Sequence, residues 1–171
     1  MSKKHFISVA KELSELLDKV HPFLKALSER EASQPWKTGK WTRKEIIGHL
    51  LDSASNNHQR FVRAALAGSL SFPGYPQAEL VELQRPNDLP WPLLLDFWMS
   101  YNRYLAHVIA ALPESAADVM CVIGDNPPAT LFYIADDYVA HLKHHLNQIL
   151  GTKFETSYVT EAQEAVARDK R

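Results

Sequence analysis

Apolar residues recur at intervals of three and four along most of this chain, the spacing of helices that each bury one face. Val9, Leu13, Leu16, Leu17 and Val20 predict a first helix from about Lys4 to about Leu27, with Pro22 as a point of kinking or splitting. Ser28 to Lys40 reads as a loop broken by Pro35-Trp36 and Gly39. Thr42-Arg43-Lys44-Glu45 then fits a capping box, in which the Thr hydroxyl and the Glu carboxylate each satisfy a backbone N–H. The second helix it opens should run to about Ala67, with Gly68 at its end. Leu94, Phe97, Trp98, Tyr101, Leu105 and Ile109 predict a third helix from about Trp91 to Leu112, ended by Pro113. Thr130 can cap a fourth, which runs to Leu150 and stops at Gly151.

The connections differ in kind. Ser69 to Pro92 is long, carries Pro73, Pro76, Pro86, Pro90 and Pro92, and has room for a short helix near Gln77 to Leu83. Such a connection crosses a bundle rather than making a hairpin. Glu114 to Ala129 is irregular around the turn Gly124-Asp125-Asn126-Pro127-Pro128. The expectation is an all-α four-helix bundle over residues 1–151, with a long crossover between its second and third helices. A polar tail, 152–171, then forms a short helix, docks on a partner subunit, or frays.

Composition narrows the function. A chain of 171 residues suits one core, and a net charge of -1 gives nucleic acid no electrostatic hold. No apolar run approaches the roughly 18 residues of a membrane span. MSKKHFISVAKELSELL interleaves charges with its apolar positions and reads as an amphipathic helix rather than a signal peptide. The single Cys121 excludes an intramolecular disulfide and reads as a small buried hydrophobe. A cytoplasmic location is the simplest inference.

The histidines carry the candidate chemistry. His141-Leu142-Lys143-His144-His145 lies in the fourth helix, where residues four apart share a face, so His141 and His145 can chelate one ion. His141 and His144 are also close enough to pair. Leu131, Leu142 and Ile149 mark the buried arc; His145 lies about 55° from its centre, His141 about 95° and His144 about 155°. By that count His145 reaches inward, His141 sits at the boundary and His144 faces solvent. A divalent transition ion usually takes a third protein ligand, and His49 in the second helix is the choice. Ser53, Asn56 and Arg60 share its face and could line a pocket below the ion. Asp137, one turn before His141, is placed to accept an imidazole N–H. The zincin pattern H-E-x-x-H is absent, since Leu142 stands where its Glu would be. His5, His21, His58 and His107 read as ordinary residues. Trp98 and Tyr101 read as core first and pocket wall second.

Two stretches resemble a known family. Trp41-Thr42-Arg43-Lys44-Glu45-Ile46-Ile47-Gly48-His49-Leu50-Leu51-Asp52 is similar to a signature of the DinB/YfiT-like superfamily, W-[ST]-x-x-E-[IV]-[ILV]-x-H-[LI]-x-D. His141-Leu142-Lys143-His144-His145-Leu146-Asn147-Gln148-Ile149 is similar to its closing segment, H-x-x-H-H-x-x-Q-I. The resemblance extends from roughly Phe6 to Leu150. It implies a four-helix bundle, a metal triad of His49, His141 and His145, zinc or nickel as the ion, and a homodimer. It also implies an enzyme acting on a small molecule. That enzyme is a transferase of a low-molecular-weight thiol (bacillithiol, mycothiol or glutathione). The resemblance carries over no substrate-side residue; the polar stripe beside His49 supplies Ser53, Asn56 and Arg60 as candidate thiol-binding residues and Arg60 and Asn56 as candidate catalytic ones. The alternatives are a metal-dependent hydrolase and a non-catalytic, stress-related metal-binding bundle.

Overall fold

The N-terminal stripe folds as α1, Phe6–Ala26, with Val9, Leu13, Leu16, Leu17, Val20 and Leu24 all buried. The structure, a computed structural model, describes residues 6–158. Pro22 lies inside α1 without ending it. It removes one backbone hydrogen bond, but buried Val20 and Leu24 on either side hold the turn against the core. The expected loop contains one helical turn, α2 (Glu29–Ala32), started by a capping box of Ser28 and Glu31.

The next helix, α3 (Arg43–Ala67), begins as its sequence predicts. The Thr42 hydroxyl accepts from the Glu45 N–H at 3.1 Å, and the Thr42 N–H donates to the Glu45 carboxylate at 2.7 Å. Gly68, at φ +74°, ends it by donating to the Ala64 carbonyl. The long crossover then holds β1 (Leu70–Phe72), α4 (Gln77–Gln84) and a single 3-10 turn at Pro86–Asp88. The remaining elements are α5 (Trp91–Ala111), a 3-10 turn at Glu114–Ala116, β2 (Met120–Ile123), β3 (Ala129–Thr130) and α6 (Leu131–Leu150). Thr130 caps α6 by accepting from the Tyr133 N–H.

The four long helices form a ring in which α1 packs against α5 and α6, and α3 packs against the same two. Helices α3 and α6 are therefore neighbours although distant in sequence. The architecture is an all-α four-helix bundle with a small sheet attached. That sheet is absent from the sequence expectation. β1 runs parallel to β2, pairing Leu70 with Cys121 and Phe72 with Ile123, and β2 runs antiparallel to β3. Strands of two to four residues are too short to display an alternating pattern.

Phe97 corrects the stripe expected of the third long helix: it is 57% exposed. Trp98, Leu105 and Ile109 set the buried direction of α5, and Phe97 sits about 100° from it, off the core. Trp98 is fully buried. Two polar ties fix the end of the bundle near the start of α3. Buried Lys44 donates to the Glu29 carboxylate and to the carbonyls of Asn87 and Leu89, while Glu29 also accepts from the Trp91 N–H. Arg43 Nε donates to the Ile149 carbonyl at 3.0 Å, joining the start of α3 to the end of α6.

Residues 152–158 form no helix; they turn back along α6. Phe154 exchanges backbone hydrogen bonds with the Asn147 side chain, and the Thr156 hydroxyl donates to the Ala140 carbonyl. The expectations for His5 and for 159–171 lie outside the described residues.

Candidate metal centre

The Arg43–Ile149 tie sets α3 and α6 at one level, and six residues into the contact His49 meets the α6 histidines. Gly48 allows this approach from the opposite side. A Cβ there would lie 2.8 Å from Pro86 Cγ and 3.0 Å from Pro86 Cβ, so the crossover can press on α3 only where a side chain is missing.

His49, His141 and His145 each offer a ring nitrogen, and these nitrogens lie within 4.8 Å of one another. The Nε2 atoms of His49 and His141 are 3.1 Å apart. Two imidazole nitrogens on one tetrahedral zinc, at about 2.05 Å each, are separated by about 3.3 Å. His49 and His145 ring centres are 4.7 Å apart, and those of His141 and His145 are 4.6 Å apart. Trp41 packs on the His49 ring at 5.3 Å.

The outer nitrogens differ in their partners. His145 Nδ1–H donates to Gln148 Oε1 at 2.8 Å, which leaves its Nε2 lone pair available. His141 Nδ1 lies 3.3 Å from the Ser53 hydroxyl. His49 Nδ1 is buried without a partner among the described residues. Burial pulls His49 down to about 4 and His145 to about 3, and holds His141 well below the ordinary imidazole range. All three are therefore neutral at neutral pH, the form that coordinates a metal. Two facing lone pairs at 3.1 Å repel unless a cation or proton lies between them. The donor set thus fits a divalent transition ion.

One detail of the azimuth count is reversed. His141 is buried and His145 only half-buried. The apolar arc alone put His145 deeper; the returning segment 152–158 buries the other side of α6. Tyr158 packs against His141 at 4.8 Å and against His144 at 5.3 Å. His144 is accordingly half-buried rather than fully solvated, and it meets the Gln148 amide at 3.1 Å.

Along α3 from the triad runs a ladder of polar side chains. Asn57 donates to the Ser53 carbonyl and lies 3.3 Å from its hydroxyl, and Arg60 Nη1 reaches Asn57 Oδ1 at 3.4 Å. Asn56 instead turns its amide onto the Asp52 carbonyl of its own helix. The crossover and the sheet add residues that the sequence reading does not place near the triad. Gln84 donates to buried Asp52 at 2.8 Å. Phe72 of β1 lies under the Arg60 guanidinium at 5.5 Å. Tyr75 lies close to Arg60, Ser53 and Asp52, and Cys121 of β2 close to Arg60. These residues sit in segments without periodicity, so no spacing signals them.

The family model described as the DinB superfamily matches residues 12–149. The chain belongs to the DinB superfamily. Both the His49 and the His141–His145 motifs fall inside the matched stretch. A relative from Bacillus pumilus (strain SAFR-032), named "Putative metal-dependent hydrolase", is 27% identical over 141 residues, covering 81% of this chain and 79% of its own. One of the same description from Bacillus mycoides (strain KBAB4) is 25% identical over 142 residues, covering 83% and 82%. Among solved structures, YfiT from Bacillus subtilis is described as a probable metal-dependent hydrolase with an unusual four-helix bundle topology. It superposes with a TM-score of 0.77 at 20% identity, covering 87% of this chain and 86% of that one. This DinB superfamily member thus shares its fold with YfiT. No helix among the described residues is long and apolar enough to cross a membrane.

Proposed function

We propose that His49, His141 and His145 hold a divalent transition ion, zinc or nickel. On this reading the protein is a metal-dependent transferase that joins a low-molecular-weight thiol to a small electrophile. The observation that carries this reading is the convergence of three neutral imidazoles at one point, with His145 only half-buried. When bound, the ion supplies uncompensated positive charge that holds a thiol as thiolate, or lowers the pKa of water. Ser53 and Gln148 orient the imidazoles. Trp41 and Tyr158 shield two sides of the group from water. The thiol loses its proton to solvent, its sulfur forms the bond to the electrophilic carbon, and the leaving group departs. Sequence resemblance favours thiol transfer, and a cytoplasmic setting, where small thiols stay reduced, suits it.

Hydrolysis by activated water is the second reading, favoured by the descriptions of the relatives. The reading also includes a homodimer, supported by the exposed apolar residues Leu93, Phe97 and Tyr104 on one face of α5.

The test uses untagged protein loaded with zinc or nickel. Conjugation of monochlorobimane to glutathione, cysteine or coenzyme A should be metal-dependent and lost in His145→Ala. Background rates with every thiol, beside metal-dependent cleavage of p-nitrophenyl esters, would replace transfer with hydrolysis.

A further inference from the structure

Arg60 is only 9% exposed, yet among the described residues no carboxylate forms an ion pair with it. Its Nε–H is buried without a hydrogen-bond partner among the described residues. Its hydrogen bond from Nη1 to Asn57 Oδ1 is long at 3.4 Å. A buried, incompletely bonded cation is costly to a fold. The groups beside it, the Tyr75 phenol and the Cys121 thiol, are both pushed toward their neutral forms by burial and do not offset its charge. The Phe72 ring lies against the guanidinium at 5.5 Å, a contact that supplies no anion.

The cation is not isolated from the metal centre. Asn57 links Arg60 to Ser53, and Ser53 meets His141. His49 and Arg60 are eleven positions apart, about three helical turns, so they share a face of α3. The rise between them is roughly 16 Å, shortened because helical side chains lean toward the N-terminus, here onto Asn57.

We propose that Arg60, beside Phe72 of β1, anchors a carboxylate of the thiol co-substrate while the sulfur lies at the histidine triad. The assignment rests on the metal–thiol reading only for the position of the sulfur. A single planar guanidinium matches a carboxylate in charge and in two-point geometry. The separation selects an elongated carboxylated thiol of peptide size over a two-carbon mercapto acid. Tyr75 supplies a phenolic donor for the same anion.

The experiment titrates glutathione, S-methylglutathione and glutathione diethyl ester into zinc-loaded and metal-free protein. Binding is read by calorimetry and by the 15N resonance of Arg60 Nε–H. Glutathione and S-methylglutathione should both move that resonance, the diester should not, and Arg60→Met should weaken both by about tenfold or more. Arg60→Lys should retain part of the affinity, and the wild-type resonance reports even if Arg60→Met fails to fold. An unmoved resonance with all three probes, or equal binding of the diester, overturns the assignment. The metal–thiol reading fails separately, if zinc and His49→Ala both leave glutathione affinity equal to that of S-methylglutathione.

Discussion

His49 Nε2 and His141 Nε2 face each other at 3.1 Å across 92 positions of sequence. His141 has His145 on its own helix, whereas His49 has no such partner on α3 among the described residues. The packing of α3 on α6 creates the pairing, and His145 completes it.

Metal content should follow that geometry. His49→Ala, His141→Ala and His145→Ala should each purify with little bound ion, whereas His144→Ala should keep it. Gln148→Leu should lower affinity roughly 10- to 100-fold, because it frees the His145 ring to turn. Mass spectrometry of untagged protein gives the occupancies. Full metal in His49→Ala would sink the triad.

Acid should destabilise the metal-free protein in a defined window. Unfolded imidazoles titrate near 6.5, whereas burial lowers folded His49 to about 4 and His145 to about 3. Between these values the unfolded chain binds more protons, so stability falls as pH falls from about 6.5 toward 3. The urea midpoint should therefore decline through that window, and less steeply in a His49→Gln, His145→Gln double variant. Identical profiles for the two proteins would refute the assignment of the slope to these histidines.

Gly48→Ala should cost about 1–3 kcal/mol, since its new methyl group meets Pro86 at 2.8 Å. Pro86→Ala in the same chain should recover part of the loss. A double-mutant cycle from urea melts measures the coupling, and strict additivity would show that the two residues do not oppose each other.

Lys44→Met should keep the buried stem but strand Glu29 and the Asn87 and Leu89 carbonyls. A loss of about 1–3 kcal/mol is expected, with metal affinity little changed. Thermal unfolding and metal titration on one sample would separate the two effects.

Phe97→Asp should dissociate a homodimer that uses the apolar face of α5, while leaving the helical spectrum intact. Sedimentation of wild type and variant decides it; a wild-type monomer at micromolar concentration removes the dimer.

Helix boundaries were legible because local chemistry sets them: the Thr42–Glu45 box, Gly68 and Gly151 each act within one turn. The histidine positions were legible from periodicity and motif. The relative depth of His141 and His145 was not, because Tyr158 and its segment bury α6 from a direction that no property of α6 encodes. Phe97 was misplaced because a stripe drawn through its apolar neighbours was wider than the face α5 buries. Tyr75, Phe72 and Cys121 reach Arg60 only after two irregular connections pair as β1 and β2.

The separation of His49 from His141 has a mechanical consequence. An ion shared between them closes a loop of 92 positions, the topological work that a disulfide performs in a secreted domain. A chain with one cysteine cannot form that link internally with sulfur. A staple made of imidazole is indifferent to reductants and opens to chelators, so the tightness of the closed bundle would be governed by metal supply rather than by redox state.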